Sequence, residues 1–244
     1  MKITHASINE QGKRPYQEDT VGWGIAGERT IFAVADGLGG HGCGDLASKK
    51  VVEMALGELT ANCEIEEYFS EVFHRGNTEL CRLQEENQML NSMKTTLAIT
   101  VIEDRTIYGA YIGDSRIYIF EKGKITYQSL DHSVPQMLVS AGEIPPKKIR
   151  NHPDRNRLLK VLGDRERQIN PQILPSYRMG RTAAILICTD GFWENVLESE
   201  MEKTLRKSEN PEEWIDRMKK IAQKRGRHKN QDNFSAVCIW VSRS

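Results

Sequence analysis

The chain has 244 residues, 39% of them hydrophobic, and its 34 Lys and Arg balance its 34 Asp and Glu. That length suits one large domain or two small ones, and that composition excludes a disordered chain. The charge balance excludes the basic footprint of a protein whose main partner is nucleic acid, and it excludes an acidic tail.

The five cysteines (Cys43, Cys63, Cys81, Cys188 and Cys238) are odd in number, widely spaced and without a Cys-x-x-Cys pair. This argues against a disulfide framework and a zinc site, and for reduced thiols. Met1 to Ser7 lack the apolar core of a signal peptide, and no apolar run approaches the ~18 residues that a membrane span needs. A cytoplasmic protein away from membranes is expected. No internal repeat or linker is visible, so one domain over residues 1–244 is expected.

In chain order, Thr30 to Ala35 is a short apolar run stopping at Asp36-Gly37-Leu38-Gly39-Gly40, and reads as a buried strand. Ala47, Val51, Met54, Ala55 and Leu59 follow at helical spacing, as do Ile65, Tyr68, Phe69, Val72, Phe73, Leu80 and Leu83. Thr95–Ile102, Thr106–Ile112 and Arg116–Phe120 read as strands, with a hairpin turn at Glu121-Lys122-Gly123-Lys124 before Ile125 to Tyr127. Breaks this short predict antiparallel pairing of successive strands. Asp131 to about Arg157, with four prolines, reads as helix and loop. Ala183 to Thr189 is a second buried strand ending in Asp-Gly, Trp214 to Ala222 a late helix, and Phe234 to Val241 a final strand. Helices and strands cluster rather than alternate, which favours an α+β fold.

Four acidic positions share one setting. Glu18-Asp19 precedes Thr20 to Trp23, Asp36-Gly37 and Asp190-Gly191 each end a strand, and Asp232-Asn233 begins one. A carboxylate at the end of a buried strand is costly unless it is paired or binds a metal. No matching set of Arg or Lys stands at strand ends to neutralise all four. An oxygen-only cluster suits a hard cation, Mg²⁺ or Mn²⁺. For any single Asp-Gly a plain turn is the better reading; the repeated setting weakens that explanation. The glycines after Asp36 allow either a phosphate-cradling loop or a tight turn beside a metal, and they match neither common phosphate-loop pattern. The six histidines have no zinc spacing. His41, beside the Asp-Gly cluster, is a proton-donor candidate and equally a local hydrogen-bonding group. Ser115 lies in no Gly-x-Ser-x-Gly. Arg14, four residues before Glu18, has the guanidinium that suits a phosphate oxygen pair.

Taken together, Arg14-x-x-x-Glu18-Asp19, Val34-Ala35-Asp36-Gly37-Leu38-Gly39-Gly40-His41, Gly113-Asp114-Ser115-Arg116, Asp131-His132-Ser133, His152-Pro153 with Arg155-Asn156, Leu162-Gly163, Thr189-Asp190-Gly191 and Asp232-Asn233 resemble the metal-dependent serine/threonine protein phosphatases of the 2C type. The likeness runs from about Arg14 to Val241 and is closest to the short bacterial form. It implies a four-layer α-β-β-α sandwich, two antiparallel sheets flanked by helices, with a two-metal centre at one end. Asp36 would bridge two Mn²⁺ or Mg²⁺ ions. Glu18 and the Gly37 carbonyl would hold one ion, Asp190 and Asp232 the other. Asp19 would orient metal-bound water, Asp114 with Asp190 would support a third, weaker ion, and Arg14 would bind phosphate. Residues 133–153 match a mobile flap. Leu38 stands where animal members carry a histidine acid, so the leaving-group proton would come from a metal-bound water or another group. Asn230 and Gln231 stand where the family often has small residues.

The activity implied is hydrolysis of phosphoserine and phosphothreonine by a water or hydroxide bridging two ions, in a monomer that reverses a serine/threonine kinase on phosphorylated proteins. Two rivals are the same chemistry on a small phosphomonoester and a silent relative used as a binding module. Retention of Glu18, Asp36, Asp190 and Asp232 disfavours the second. A generic nucleotide-binding domain would leave Asp190-Gly191 and Asp232-Asn233 unexplained.

Overall fold

The computed structural model describes residues 1–38, 43–166, 169–227 and 230–242. Strands β1 (Lys2–Glu10), β2 (Asp19–Ala26) and β3 (Arg29–Leu38) lead into helices α1 (Gly44–Glu58) and α2 (Ile65–Glu86). Then come β4 (Lys94–Thr95), β5 (Leu97–Glu103), β6 (Thr106–Ile112), β7 (Arg116–Glu121) and β8 (Lys124–Gln128). Helix α3 (Val134–Ser140) and a 3-10 helix (Pro146–Asn151) precede β9 (Gln172–Ile173), β10 (Tyr177–Arg178) and β11 (Thr182–Cys188). Helices α4 (Asp190–Trp193), α5 (Glu198–Leu205) and α6 (Pro211–Gly226) and strand β12 (Phe234–Ser242) finish the chain.

The strands form two sheets, with orders β1-β12-β11-β7-β8 and β10-β6-β5-β3-β2; β4 adds to β3 and β9 to β6. Their strand pairings are antiparallel. Period-2 alternation sends each central strand into two apolar layers. In β3, Phe32 and Val34 face the inter-sheet core with Ile117, Ile185, Ile187 and Ile239. Ile31, Ala33 and Ala35 pack instead with Val51, Phe69 and Phe73 of α1 and α2. In β11, Leu186 and Cys188 pack on the other side with Trp214 and Met218 of α6. Three apolar layers separate four layers of structure, as expected for the α-β-β-α sandwich. Strands covered on both faces explain the near-continuous apolar runs in the sequence.

Helix α6 is set by its ends. Asn210 accepts the Glu213 N–H at 2.8 Å, Pro211 opens the first turn, and Lys224 and Arg225 close the last. Trp214 is fully buried because its indole N–H also finds a partner, the Met201 carbonyl at 3.1 Å.

Three local expectations change. Strand β3 does not stop at Ala35; it runs through Asp36 and Gly37 because β4 pairs with Gly37 and Leu38. The β-rich stretch from Thr95 is split at Thr96 into β4 and β5, which serve different parts of β3. The third change concerns β6 and β7, which do not pair: β6 lies in one sheet and β7 in the other. Three intervening residues, at about 3.3–3.6 Å each, are enough to cross the roughly 10 Å between stacked sheets. Connection length restricted the reach of the chain but not the sheet it joined. Strand β1 and helix α5 were not foreseen; β1 has little apolar alternation and is recruited by pairing along β12.

Candidate metal centre

One end of the sandwich gathers the turns that carry acidic residues. Asp19 opens β2 and pairs in register with Asp36 near the end of β3, so two carboxylates lie side by side across the strands. Like charges in such a pair repel. The Asp36 backbone is held tightly: its N–H donates to Thr96 Oγ1 at 2.9 Å, and its carbonyl accepts from the Thr96 N–H at 2.9 Å and Thr95 Oγ1 at 2.8 Å. Glu18 is fixed from both sides, its N–H donating to Asn233 Oδ1 at 2.9 Å and its carbonyl accepting from Ser48 Oγ at 2.6 Å. Asn233 also donates to the Gln11 and Tyr16 carbonyls, at 2.7 and 2.9 Å, which ties the Arg14 loop to the start of β12.

Two glycines are required by close approach. A Cβ on Gly37 would stand 2.0 Å from the Gly44 carbonyl oxygen, and one on Gly191 would stand 2.0 Å from the Asn233 carbonyl oxygen. Both Asp-Gly pairs therefore serve more than turn propensity: the backbone there is packed against a second segment.

Arg14, Glu18, Asp36, Gly37, Asp114, Asp190 and Asp232 all line one cavity of ≈ 230 Å³, together with Leu38, Asn156, Leu158 and Asn233. Asp19 is not in the wall. It is 3% exposed and lies next to Asp36, its Oδ2 accepting from Thr189 Oγ1 at 2.9 Å. The metal-, water- and phosphate-binding residues that the resemblance implied are thus all at this end of the molecule. His41 lies outside the described residues. A larger cavity of ≈ 460 Å³, between Phe120, Leu205 and Trp240, is mainly apolar and sits at the far end of the first sheet.

The electrostatics are one-sided. Burial, with the neighbouring carboxylates, pushes Asp36 and Asp190 well above the usual carboxylate range. Burial raises Asp19 to about 7 and Asp114 to about 8, and it raises Glu18 as well. Arg14 gives partial relief: it donates to Asp232 Oδ2 at 2.6 Å. The residue expected on phosphate is thus paired here with an expected metal ligand. Glu18 Oε1 and Asp19 Oδ1 are buried with no hydrogen-bond partner. Among the described residues, no three His, Cys, Asp or Glu side chains close up as a ready cage. The carboxylates instead surround a space. Orphaned anionic oxygens, mutual repulsion and an all-oxygen donor set fit divalent hard cations.

Several contributors lie outside the predicted set. Thr189 serves Asp19, and Thr95 and Thr96 hold Asp36; polar residues at the ends of apolar runs were the available signal. Trp193 donates its indole N–H to the Asp114 carbonyl at 2.9 Å while the Arg116 guanidinium lies 3.5 Å over its ring. Arg116 grips Asp131 with two bonds of 2.7 Å. These residues lie far apart in sequence, so only the fold brings them together. Within 133–153, Ile149 is buried against the α6-side core, and Arg150 donates to Glu198 at 2.5 Å.

The sequence pattern of the protein phosphatase 2C family matches residues 10–236. The chain belongs to that family. It is accordingly a protein-serine/threonine phosphatase, a phosphoric monoester hydrolase. The serine/threonine phosphatase stp of Listeria monocytogenes serotype 4b (strain F2365) is 31% identical over 216 residues, spanning 86% of this chain and 83% of that protein. The structure of Stp1 from Staphylococcus aureus superposes with a TM-score of 0.89 at 25% identity, covering 100% of this chain and 96% of that one. The catalytic domain of PstP, crystallised with two manganese ions, superposes with a TM-score of 0.83 at 25% identity, covering 97% of each chain.

Proposed function

We propose that this phosphatase hydrolyses phosphoserine and phosphothreonine esters of proteins at the carboxylate cavity, with Mn²⁺ or Mg²⁺ as cofactor. The observation that carries this reading is the set of buried, mutually repelling carboxylates around a small cavity with one arginine at its edge. Two divalent ions bound there would supply an activated water as nucleophile and neutralise the phosphoryl oxygens. Glu18 and the Gly37 carbonyl would hold one ion, Asp190 and Asp232 the other, and Asp36 would serve both. Asp114, with Asp190, would hold a third ion more weakly. Asp19 keeps one oxygen on Thr189 and leaves Oδ1 without a partner. That atom would accept a hydrogen bond from the attacking water and fix its direction. Arg14 would leave Asp232 for two phosphate oxygens, where a planar guanidinium is most effective. Leu38 has no proton to give the leaving oxygen.

We place the enzyme opposite a serine/threonine kinase, as a cytoplasmic monomer of one catalytic domain over 1–244, with 133–153 as a flap beside the site. Two features are compatible with that setting. The five cysteines are free, and among the described residues no helix is long and apolar enough to cross a membrane.

The test is phosphate release from matched phosphothreonine and phosphotyrosine peptides with Mn²⁺, with Mg²⁺ and with excess EDTA. Release that needs metal and favours phosphothreonine is expected. Release that persists in EDTA would overturn the metal assignment, and a preference for phosphotyrosine would overturn the substrate assignment.

A further inference from the structure

Asp114 rides on the three-residue crossing, Gly113 to Ser115, between the two sheets. Strand pairing stops at Ile112 and resumes at Arg116, so the crossing has no ladder to hold it. Residues from elsewhere do so instead. The Asp114 carbonyl accepts from the Trp193 indole at 2.9 Å, and Ser115 Oγ lies 2.8 Å from Thr96 Oγ1. At Gly113 the work falls to His132. The Gly113 N–H donates to His132 Nδ1 at 3.1 Å, and the Gly113 carbonyl accepts the His132 backbone N–H at 2.9 Å. One residue thus grips both polar groups of the glycine.

That grip matters because of the backbone there. Gly113 has a φ of +100°, and a Cβ on it would stand 2.5 Å from Thr96 Cγ2. Glycine fits such a position, but it is also the residue with the most backbone freedom to lose. Its torsions aim the next peptide plane, and the Asp114 carboxylate draws on its own backbone N–H in that plane. His132 is itself fixed. Its ring stacks on Tyr111, with centroids 5.1 Å apart and planes 14° off parallel, and its carbonyl accepts the Leu159 N–H at 2.7 Å. Accepting at Nδ1 requires the neutral ring with its proton on Nε2. Burial, which lowers the imidazole to about 4, keeps the ring neutral.

We propose that His132 is a positioning residue for Asp114, holding Gly113 so that the Asp114 carboxylate stays aimed into the cavity it shares with Asp190. The inference rests on Asp114 and Asp190 holding the weaker third ion. His132 itself does not line that cavity. Its loss should be felt at Asp114 and hardly elsewhere, because the other ligands are held by other residues. The Asp36 backbone is fixed by Thr95 and Thr96, and that of Glu18 by Ser48 and Asn233.

The test counts bound Mn²⁺ by titration, with free Mn²⁺ read from its EPR signal. The wild-type protein should bind two ions tightly and a third more weakly, and Asp114→Asn should lose the third. In His132→Phe the new ring can keep the stack on Tyr111. The position borders a cavity of ≈ 590 Å³, so the acceptor is removed without overfilling a closed core. This variant should bind the third ion roughly three- to tenfold more weakly, as expected for one lost hydrogen bond, with the tighter two unchanged. His132→Asn, whose Oδ1 can stand in for Nδ1, should restore the third ion. In an Asp114→Asn background, adding His132→Phe should change p-nitrophenyl phosphate turnover at saturating Mn²⁺ by no more than about twofold, because the two substitutions act through one group. A third ion of wild-type affinity in His132→Phe, all three ions weakened alike, no recovery in His132→Asn, or a further large loss in the double variant would each overturn the positioning role. A wild-type protein that binds two ions only, with Asp114→Asn indistinguishable from it, would instead remove the third ion on which the inference rests.

Discussion

Arg116 and Asp131 sit as deep in the protein as Asp19 and Asp114, all four being 3–5% exposed. The two sets of charge are kept in opposite ways. Arg116 and Asp131 form a two-bond fork, and the same guanidinium reaches the Tyr118 hydroxyl at 3.1 Å and lies over Trp193. Asp19, Asp36, Asp114 and Asp190 have one another for company, with Arg14 at the edge on Asp232 alone. Trp193 belongs to both regions, with its ring under Arg116 and its N–H on Asp114. Buried charge that finds a partner inside the chain is architecture. Buried carboxylates that do not must take up a proton or a cation, and it is at that end of the sandwich that we place the phosphoryl site.

The comparison can be broken hardest at Asp36. Asp36→Asn should lower metal-dependent turnover by roughly 10³-fold or more, by analogy with the loss of a group that stabilises transition-state charge. In EDTA the same substitution should raise the melting temperature, because the buried carboxyl must take up a proton or carry an unpaired charge on folding and the amide does neither. A variant with wild-type turnover, or one less stable than wild type in EDTA, would refute the division drawn between the two regions. The paired region should respond the other way. Arg116→Met strands Asp131 and should cost about 3–5 kcal/mol in a denaturant melt, while Arg116→Met with Asp131→Leu should recover most of that loss. Equal losses in the single and double variants would mean that the pair is not the source of the stability.

This division also separates what was legible in the sequence from what was not. Asp36-Gly37, Asp190-Gly191 and Asp232-Asn233 each stand beside an apolar run, so both their element and their desolvation could be read locally. Their convergence came from the family resemblance and from the cost of four unpaired carboxylates. Arg116 and Asp131 were visible only as members of short motifs. Their bond follows from the β7–β8 hairpin, whose register sets Tyr118 opposite Gln128 and so brings Asp131 back beside Arg116, while Trp193 of α4 joins them from far along the chain. The break between β6 and β7 shows another limit: three residues restrict distance, whereas the sheet is set by pairing with distant strands, β6 along β5 and β7 along β11.

The smallest of the expected effects is a dependence on pH confined to the metal-free protein. Asp19 at about 7 and Asp114 at about 8 lie above the ordinary carboxylate value of 3.8, and Asp36 and Asp190 shift in the same direction. The folded state therefore holds protons that the unfolded chain has already released. By linkage, that stabilisation is complete below the unfolded value and is lost as pH rises through the folded values. Below pH 6.5 the lowered imidazoles of His132, at about 4, and His5 act against this slope. Above it they are neutral in both states, and the carboxylates act alone. In EDTA the melting temperature should fall between pH 6.5 and 8.5, and the fall should be shallower in Asp36→Asn. Saturating Mn²⁺ binds the deprotonated groups, so the stabilisation it gives should grow over the same interval. A metal-free melting temperature that is flat from pH 6.5 to 8.5 would mean that the carboxylates find their relief within the fold, as Asp131 does.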